Sequence, residues 1–439
     1  MSGVVIVGAQ FGDEGKGKMT DYLARQADCV VRYQGGNNAG HTVVIRGHEY
    51  RLHLIPSGIF YPEKVCVIGN GVVIDPGVLF QELDELLSQG LKLARLFISD
   101  RAHLILPYHL RLDAAEENCR GDGRIGTTRR GIGPAYTDKI ARVGFRTGEL
   151  LEDGWERRLT ELVLEKNRVL ERLYGSEGFE PEQVIAWLRP HAERLRPLLA
   201  DTSLVLAELA SQGRHTLFEG AQGTMLDIDH GTYPFVTSSS PTAGGACIGA
   251  GVGPTAISQV LGVCKAYLTR VGEGLFPTEL QGPECESLRD RGREFGTTTG
   301  RARRCGWIDL VMLRYAGRVN GMSGLIITKL DVLDAFPAIK LCTAYHCNGS
   351  TLGELPGSQR LLQASEPVYE ELEGWQEDIS GARRYEDLPA AARRYVERIG
   401  EITGLPVVAI SVGPDRDQTI ETKPESGLDT AIRGSHRDV

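Results

Sequence analysis

Short apolar runs that stop at glycine-rich turns set the rhythm of residues 1–150. Runs at 4–7, 29–33, 65–68 and 96–98 predict strands, and apolar positions at helical spacing over 78–89 predict an amphipathic helix between them. Such alternation argues for a doubly wound, largely parallel sheet. Between 151 and 213 the pattern changes. Apolar residues recur at helical spacing among many Arg and Glu over 156–174 and 181–212, predicting a helical section with a solvated charged face. Strand-like runs resume at 216–219, 262–270, 324–328 and 406–412, and each stops at polar or glycine-rich residues. In open α/β sheets ligands sit beyond the carboxyl ends of the strands, so these segments are expected to converge on one cleft. The expected fold is α/β: a large open, mostly parallel sheet flanked by helices, with a P-loop-like phosphate loop and a helical section in the middle. Residues 1–420 read as a single large domain and 421–439 as a polar C-terminal tail.

Composition narrows the class. Of 439 residues, 41% are hydrophobic and 24% charged, which describes an ordinary globular chain able to bury a large core. The net charge of −9 provides no broad basic field for nucleic acid, so local Arg clusters read as sites for individual anions. The nine cysteines are scattered, without zinc-ligand spacing, and read as reduced thiols. No apolar stretch approaches the ~18–20 residues of a membrane span. The cytoplasm is the expected compartment, with no membrane partner.

The 54 glycines cluster in a few loops, where backbone must come close to something. The first is GDEGKGK at 12–18, directly after the run at 4–7. A strand breaking into glycines and then a helix offers free N–H groups and a helix dipole to an anion. The spacing from Gly12 to Lys18 fits most of the P-loop pattern, but Met19 stands where Ser or Thr would hold a magnesium ion. Asp13 is the obvious replacement ligand, and a carboxylate within a phosphate loop suggests chemistry as well as binding.

Further clusters supply the rest of a two-nucleotide site. GGNNAGHT at 35–42 carries His41, which titrates near neutrality and suits donation to a leaving phosphate oxygen. GTTRRGIGPAY at 126–136, with Arg142 beyond it, combines hydroxyls, guanidinium forks and backbone amides that fit a phosphate monoester. In FEGAQG at 218–223, Gln222 suits a base edge, and Thr237 in VTSS suits a phosphate oxygen. Asp227, Asp229 and His230 resemble a metal cluster on paper but sit before a Gly-Thr turn, where capping is their commoner use. GTTTGRARR at 296–304 concentrates arginines for a polycarboxylate or phosphate. TKLD at 328–331 follows an apolar run: a Lys stem can lie on a purine face while Asp accepts from two guanine donors that adenine lacks. It resembles the guanine-reading motif of GTPases, with Thr in place of the usual Asn. SVGPDR at 411–416 would complete the base pocket.

Taken in order and with their gaps, these motifs resemble the adenylosuccinate synthetase family from about residue 3 to 420. The resemblance implies a GTP-dependent ligase that joins L-aspartate to IMP through a 6-phosphoryl-IMP intermediate, giving adenylosuccinate, GDP and phosphate. It implies Asp13 as base and His41 as donor to the departing GDP. One Mg2+ per subunit would be held by Asp13 and the Gly40 carbonyl, and GTP would be the co-substrate. The IMP set would be Asp13, Glu14, Gly15, Lys16, Asn38, Ala39, Gly40, His41, Thr128, Gln222, Thr237 and Arg301, with Arg142 offered across a homodimer interface. GTP would meet Gly12, Asp13, Glu14, Gly15, Lys16, Gly17, Lys18, Gly40, His41, Thr42 and Arg303 around its phosphates, and Lys329, Leu330, Asp331, Ser411, Val412 and Gly413 around its guanine. Aspartate would sit against Thr297, Thr298, Thr299, Gly300, Arg301, Ala302 and Arg303. Two residues depart from the family pattern: Arg129 stands where Gly is common, and Phe11 where Trp is common. A GTP-binding switch would explain the phosphate loop and TKLD but leaves the separate Arg and Thr sites without purpose. A nucleoside monophosphate kinase explains two phosphate sites but not the Arg-rich loop.

Overall fold

The computed structural model describes residues 3–45, 48–296 and 300–422. Its centre is a ten-stranded sheet. In chain order the strands are β1 (Gly3–Gly8), β2 (Cys29–Arg32), β3 (Val65–Ile68), β4 (Arg95–Ser99), β5 (Leu199–Ala200), β6 (Thr216–Glu219), β7 (Ile257–Lys265), β8 (Gly324–Thr328), β9 (Val407–Ser411) and β10 (Thr419–Glu421). Across the sheet they run β10-β9-β8-β7-β1-β6-β2-β3-β4-β5. All neighbours are parallel except β10, which returns antiparallel along β9. The fold is thus the α/β architecture expected from the apolar runs. β1, β2, β6 and β8 are buried along their whole length, because helices cover both faces of a parallel sheet.

Several boundaries differ from the expectation, each for a local reason. The helix expected over 78–89 is Pro76–Ser88, started by Asp75, whose side chain accepts from the N–H groups of Gly77 and Val78. The helical section contains Trp155–Tyr174, as expected, but 181–212 divides. Pro181–Leu195 ends near Pro197, β5 pairs with the sheet edge, and Thr202–Ser211 restarts under an Asp201 cap. The strand expected over 262–270 also divides: after β7, Leu268–Arg270 leaves the sheet to pair with Arg304–Gly306. Two features had no expectation attached. One is the hairpin of His41–Ile45 with His48–Leu52, and the other is a smaller sheet built on Ala338–Cys347 and Glu366–Glu373. The tail from 423 to 439 lies outside the described residues. Among the described residues no helix is long and apolar enough to cross a membrane.

Candidate active site

β1 leaves the sheet beside β6 and β7 and turns through the phosphate loop into the helix Lys16–Ala24. Gly12 and Gly15 take φ of +98° and +83°, a left-handed backbone that glycine adopts without cost. Gly15 caps the helix with no side chain on its first N–H groups. Met19 is fully buried in the core, so this position faces away from any phosphate. Glu14 and Lys16, both expected to meet nucleotide, also brace the loop from within. The Glu14 carboxylate accepts from the N–H groups of Gln10 (3.0 Å) and Gly12 (2.8 Å) and from Lys16 Nζ (2.6 Å). The hydroxyl of Thr328, at the end of β8, donates to the Glu14 carbonyl and ties the loop to the TKLD segment. Lys18 crosses to the 411–418 turn, donating to Ser411 Oγ at 2.6 Å, the Gly413 carbonyl at 2.8 Å and the Gln418 carbonyl at 3.0 Å. Burial pushes the Lys18 ammonium down to about 7, against the pull of Asp331 and Asp415.

A cavity of about 350 Å3 opens beside this loop. Gly12, Asp13, Asn38, Ala39, Gly40, His41, Thr128, Gln222 and Thr237 all line it, so four separate sequence clusters do converge. Gln222 Nε2 donates to Asn38 Oδ1 at 3.1 Å, while Gln222 Oε1 is buried without a partner. Thr237 Oγ1 lies 3.3 Å from Ser239 Oγ. His41 Nδ1 bonds to Glu219, a residue to which sequence reasoning gave no role. Glu219 ends β6 and also accepts from the N–H and the hydroxyl of Ser57, each at 2.8 Å. Burial alone would raise the Glu219 carboxyl, yet His41 and Arg32 hold it at about 2. Burial lowers the His41 imidazole. An ionised Glu219 thus engages Nδ1 of His41, which leaves Nε2 for acid–base work.

The segment carrying Thr128 hangs from the helix Pro107–Cys119. Glu117 accepts from the N–H groups of Ile125 (3.2 Å) and Gly126 (3.0 Å), and Asp113 from the Thr127 hydroxyl (2.7 Å) and the Gly131 N–H (2.9 Å). Arg129 takes φ +55°, a left-handed backbone that favours glycine. Arg142 ends the helix Ile132–Ala141 in the same left-handed region; it is exposed and lines no part of this chain's cavity. Asp227 accepts from the N–H groups of Asp229 (2.9 Å) and His230 (3.1 Å), so that cluster is a turn. Among the described residues no group of three or more His, Cys, Asp or Glu is placed to hold a metal ion.

The guanine-reading candidates lie at the ends of β8 and β9. Asp331 Oδ1 is buried with no partner, which suits a carboxylate awaiting donors, and burial raises its carboxyl. Asp331 borders a second cavity of about 400 Å3, shared with Arg291, Asp334 and Ser380. Lys329 Nζ donates to the Gly292 carbonyl and to Glu294 Oε1, both at 2.7 Å. Leu330 and Val412 are fully buried, so neither side chain is presented to a base. Gly17 is buried in the helix Lys16–Ala24, and Thr42 pairs with Arg51 in the hairpin. Arg303 reaches the phosphate loop, with Nη2 2.8 Å from Asp13 Oδ1 and Nη1 2.6 Å from Glu294 Oε2. Gly300, Arg301 and Ala302 are exposed beside it. Thr297, Thr298 and Thr299 lie outside the described residues.

Comparison with known proteins bears on the whole arrangement. The model of the family described as adenylosuccinate synthetase matches residues 5–420. The chain is 59% identical to the adenylosuccinate synthetase of Desulforudis audaxviator, over 96% of this chain and 98% of the relative. It is 58% identical to that of Heliobacterium modesticaldum, over 96% and 99%. A fully ligated adenylosuccinate synthetase from Plasmodium falciparum superposes with a TM-score of 0.89 at 38% identity, covering 96% of this chain and 99% of that one. The phosphate loop that carries its own aspartate is therefore embedded in a fold and a sequence matched over nearly their whole length, and the chain belongs to the adenylosuccinate synthetase family.

Proposed function

We propose that this site phosphorylates IMP at O6 with GTP and then replaces the phosphate with the amino group of L-aspartate. The activity is the GTP-dependent carbon–nitrogen ligation of the family, giving adenylosuccinate, GDP and phosphate. The observation that carries the residue assignment is the position of Asp13: it lines the cavity of about 350 Å3 with His41, Asn38 and Gln222, and belongs to the phosphate loop.

In this reading Asp13 takes the N1 proton of IMP, and the electron pair moves through C6 to O6. O6 then attacks the γ-phosphorus of GTP, and the bond to the β,γ-bridging oxygen breaks. His41, its Nδ1 fixed by Glu219, takes a proton as the phosphates approach and donates from Nε2 to the departing GDP. The aspartate amine next adds to C6, phosphate leaves with O6, and the amine's proton is lost. Thr128 and Thr237 hold the IMP phosphate, and Asn38 and Gln222 the remainder of the nucleotide. Arg301 and Arg303 meet the aspartate carboxylates, so Arg303 must exchange Asp13 for substrate. Asp331 accepts from guanine N1–H and the 2-amino group, while Lys329, Ser411 and Gly413 close the base pocket. Asp13 and Gly40 line one cavity wall, and a carboxylate with a backbone carbonyl is a pair of hard oxygen donors that would fit Mg2+. When bound, that ion neutralises phosphate charge. Residues 1–420 act as one catalytic unit in the cytoplasm, and the exposed Arg142 serves the neighbouring site of a homodimer.

The test is absorbance detection of adenylosuccinate with GTP, IMP and aspartate omitted in turn, and then with ATP in place of GTP. Product that requires all three substrates, and GTP in particular, is the expected result. GTP hydrolysis indifferent to IMP and aspartate would instead make the chain a GTP switch.

A further inference from the structure

Glu294 is fully buried and collects more cationic partners than any reading of the sequence suggests. Its Oε1 accepts from Lys329 Nζ at 2.7 Å, from Lys265 Nζ at 3.1 Å and from the Tyr267 hydroxyl. Its Oε2 accepts from Arg303 Nη1 at 2.6 Å. The backbone repeats the link, because the Arg303 N–H donates to the Glu294 carbonyl at 2.9 Å. One carboxylate therefore joins a residue of the guanine end, Lys329, to the arginine that holds Asp13.

A buried anion shared by three cations is stable only as a set. Glu294 cannot move toward one cation without weakening its bond to another. When guanine settles against Lys329, the position of that ammonium fixes Oε1, and Oε2 then sets where the Arg303 guanidinium can swing on leaving Asp13. The two arms of Arg303 have different partners: Nη1 meets Glu294, while Nη2 meets Asp13 and is the arm that substrate can claim. Lys265, also buried, supplies the charge that keeps the set balanced when Arg303 turns to substrate.

We infer that Glu294 is the positioning residue through which the guanine end and the aspartate end of the site sense each other. This inference rests on the reading of Lys329 and Arg303 given above. It assigns Glu294 no contact with substrate, and leaves IMP outside the coupled pair.

Steady-state kinetics of the full chain, each substrate varied in turn, tests it. Glu294→Gln is expected to raise the KM for GTP and the KM for aspartate by about tenfold each, with the KM for IMP within about twofold of the parent. In a Lys329→Ala background the same change should raise the KM for GTP by less than about threefold, because the shared contact is already lost. Glu294→Asp, which keeps the charge, should rescue most of the aspartate effect. Equal rises in all three KM values, or full additivity of the Glu294 and Lys329 changes, would overturn the inference and leave Glu294 a structural anion only. Should Glu294→Gln fail to fold, Glu294→Asp decides. A smaller rise confined to GTP and aspartate supports the coupling, and a rise shared with IMP overturns it. A parent chain that makes no adenylosuccinate would sink the reading of the site itself, whereas an active parent with the wrong Glu294 pattern sinks only this inference.

Discussion

At the IMP end of the cleft, the segment carrying Thr128 hangs from Glu117 and Asp113, carboxylates that precede their partners by 8 to 18 positions in the chain. At the guanine end, Lys329 and Arg303 share Glu294, which also holds a lysine from β7 and stands 35 positions before Lys329. The first arrangement is local and mostly neutral: a carboxylate caps backbone N–H groups, and its loss loosens one loop. The second is long-range and charged, so its loss leaves buried cations without balance. With the proposed roles of these residues, the site is adjustable at one end while its two other substrates are coupled. Asp13 sits where the ends meet, in the wall of the IMP cavity and paired with Arg303.

The largest effect should come at that meeting point. Asp13→Asn removes the proposed base and a proposed ligand for Mg2+ together, and turnover should fall by at least about 10³-fold with the fold intact by circular dichroism. Near-normal rates would mean that the chemistry is not organised around the junction. Asp331→Asn should raise the KM for GTP by about 100-fold and improve the use of xanthosine triphosphate, whose base presents an acceptor in place of the 2-amino donor. The KM for IMP should stay close to the parent value, and a matching rise there would erase the distinction between the two ends. Lys18 sharpens the charged side. Burial pushes its ammonium down to about 7, so its charge is lost as the pH rises through that value. GTP phosphates favour the charged form, and the KM for GTP should therefore climb by up to about tenfold per pH unit above 7. Lys18→Arg, always charged, should flatten that slope. The smallest effect belongs to the local end: Glu117→Gln should raise the KM for IMP about three- to tenfold and leave the KM values for GTP and aspartate unchanged.

The same contrast separates what the sequence made legible from what it hid. β1, β2, β3, β6 and β8 were readable because buried parallel strands are continuous apolar runs. Glu366–Glu373 was not, because four of its eight residues are glutamates, two of them adjacent, and none of the eight is fully buried. The split of 181–212 turns on Pro197 and on the Asp201 cap, both local signals that the helical periodicity overrode in the reading. Site loops were legible where glycines cluster at strand ends, and the lining of the cavity follows them. Glu219 and Glu294 were not, since a single carboxylate carries no pattern. Its partner is identified only by the fold: His41 lies 178 positions from Glu219. Glu14 and Lys16 show the converse, for they sit in a legible motif yet turn inward to hold its shape.

The central claim is that O6 of IMP becomes the oxygen of the released phosphate, at a site where Asp13 and His41 act on opposite sides of one transfer. IMP labelled with heavy oxygen at O6 tests it directly, in a single turnover with GTP and aspartate and mass analysis of the products. The account predicts one labelled oxygen in the phosphate and none in water. Label in water with unlabelled phosphate would mean that IMP is never phosphorylated at O6, and the assigned roles of Asp13 and His41 would fall with it.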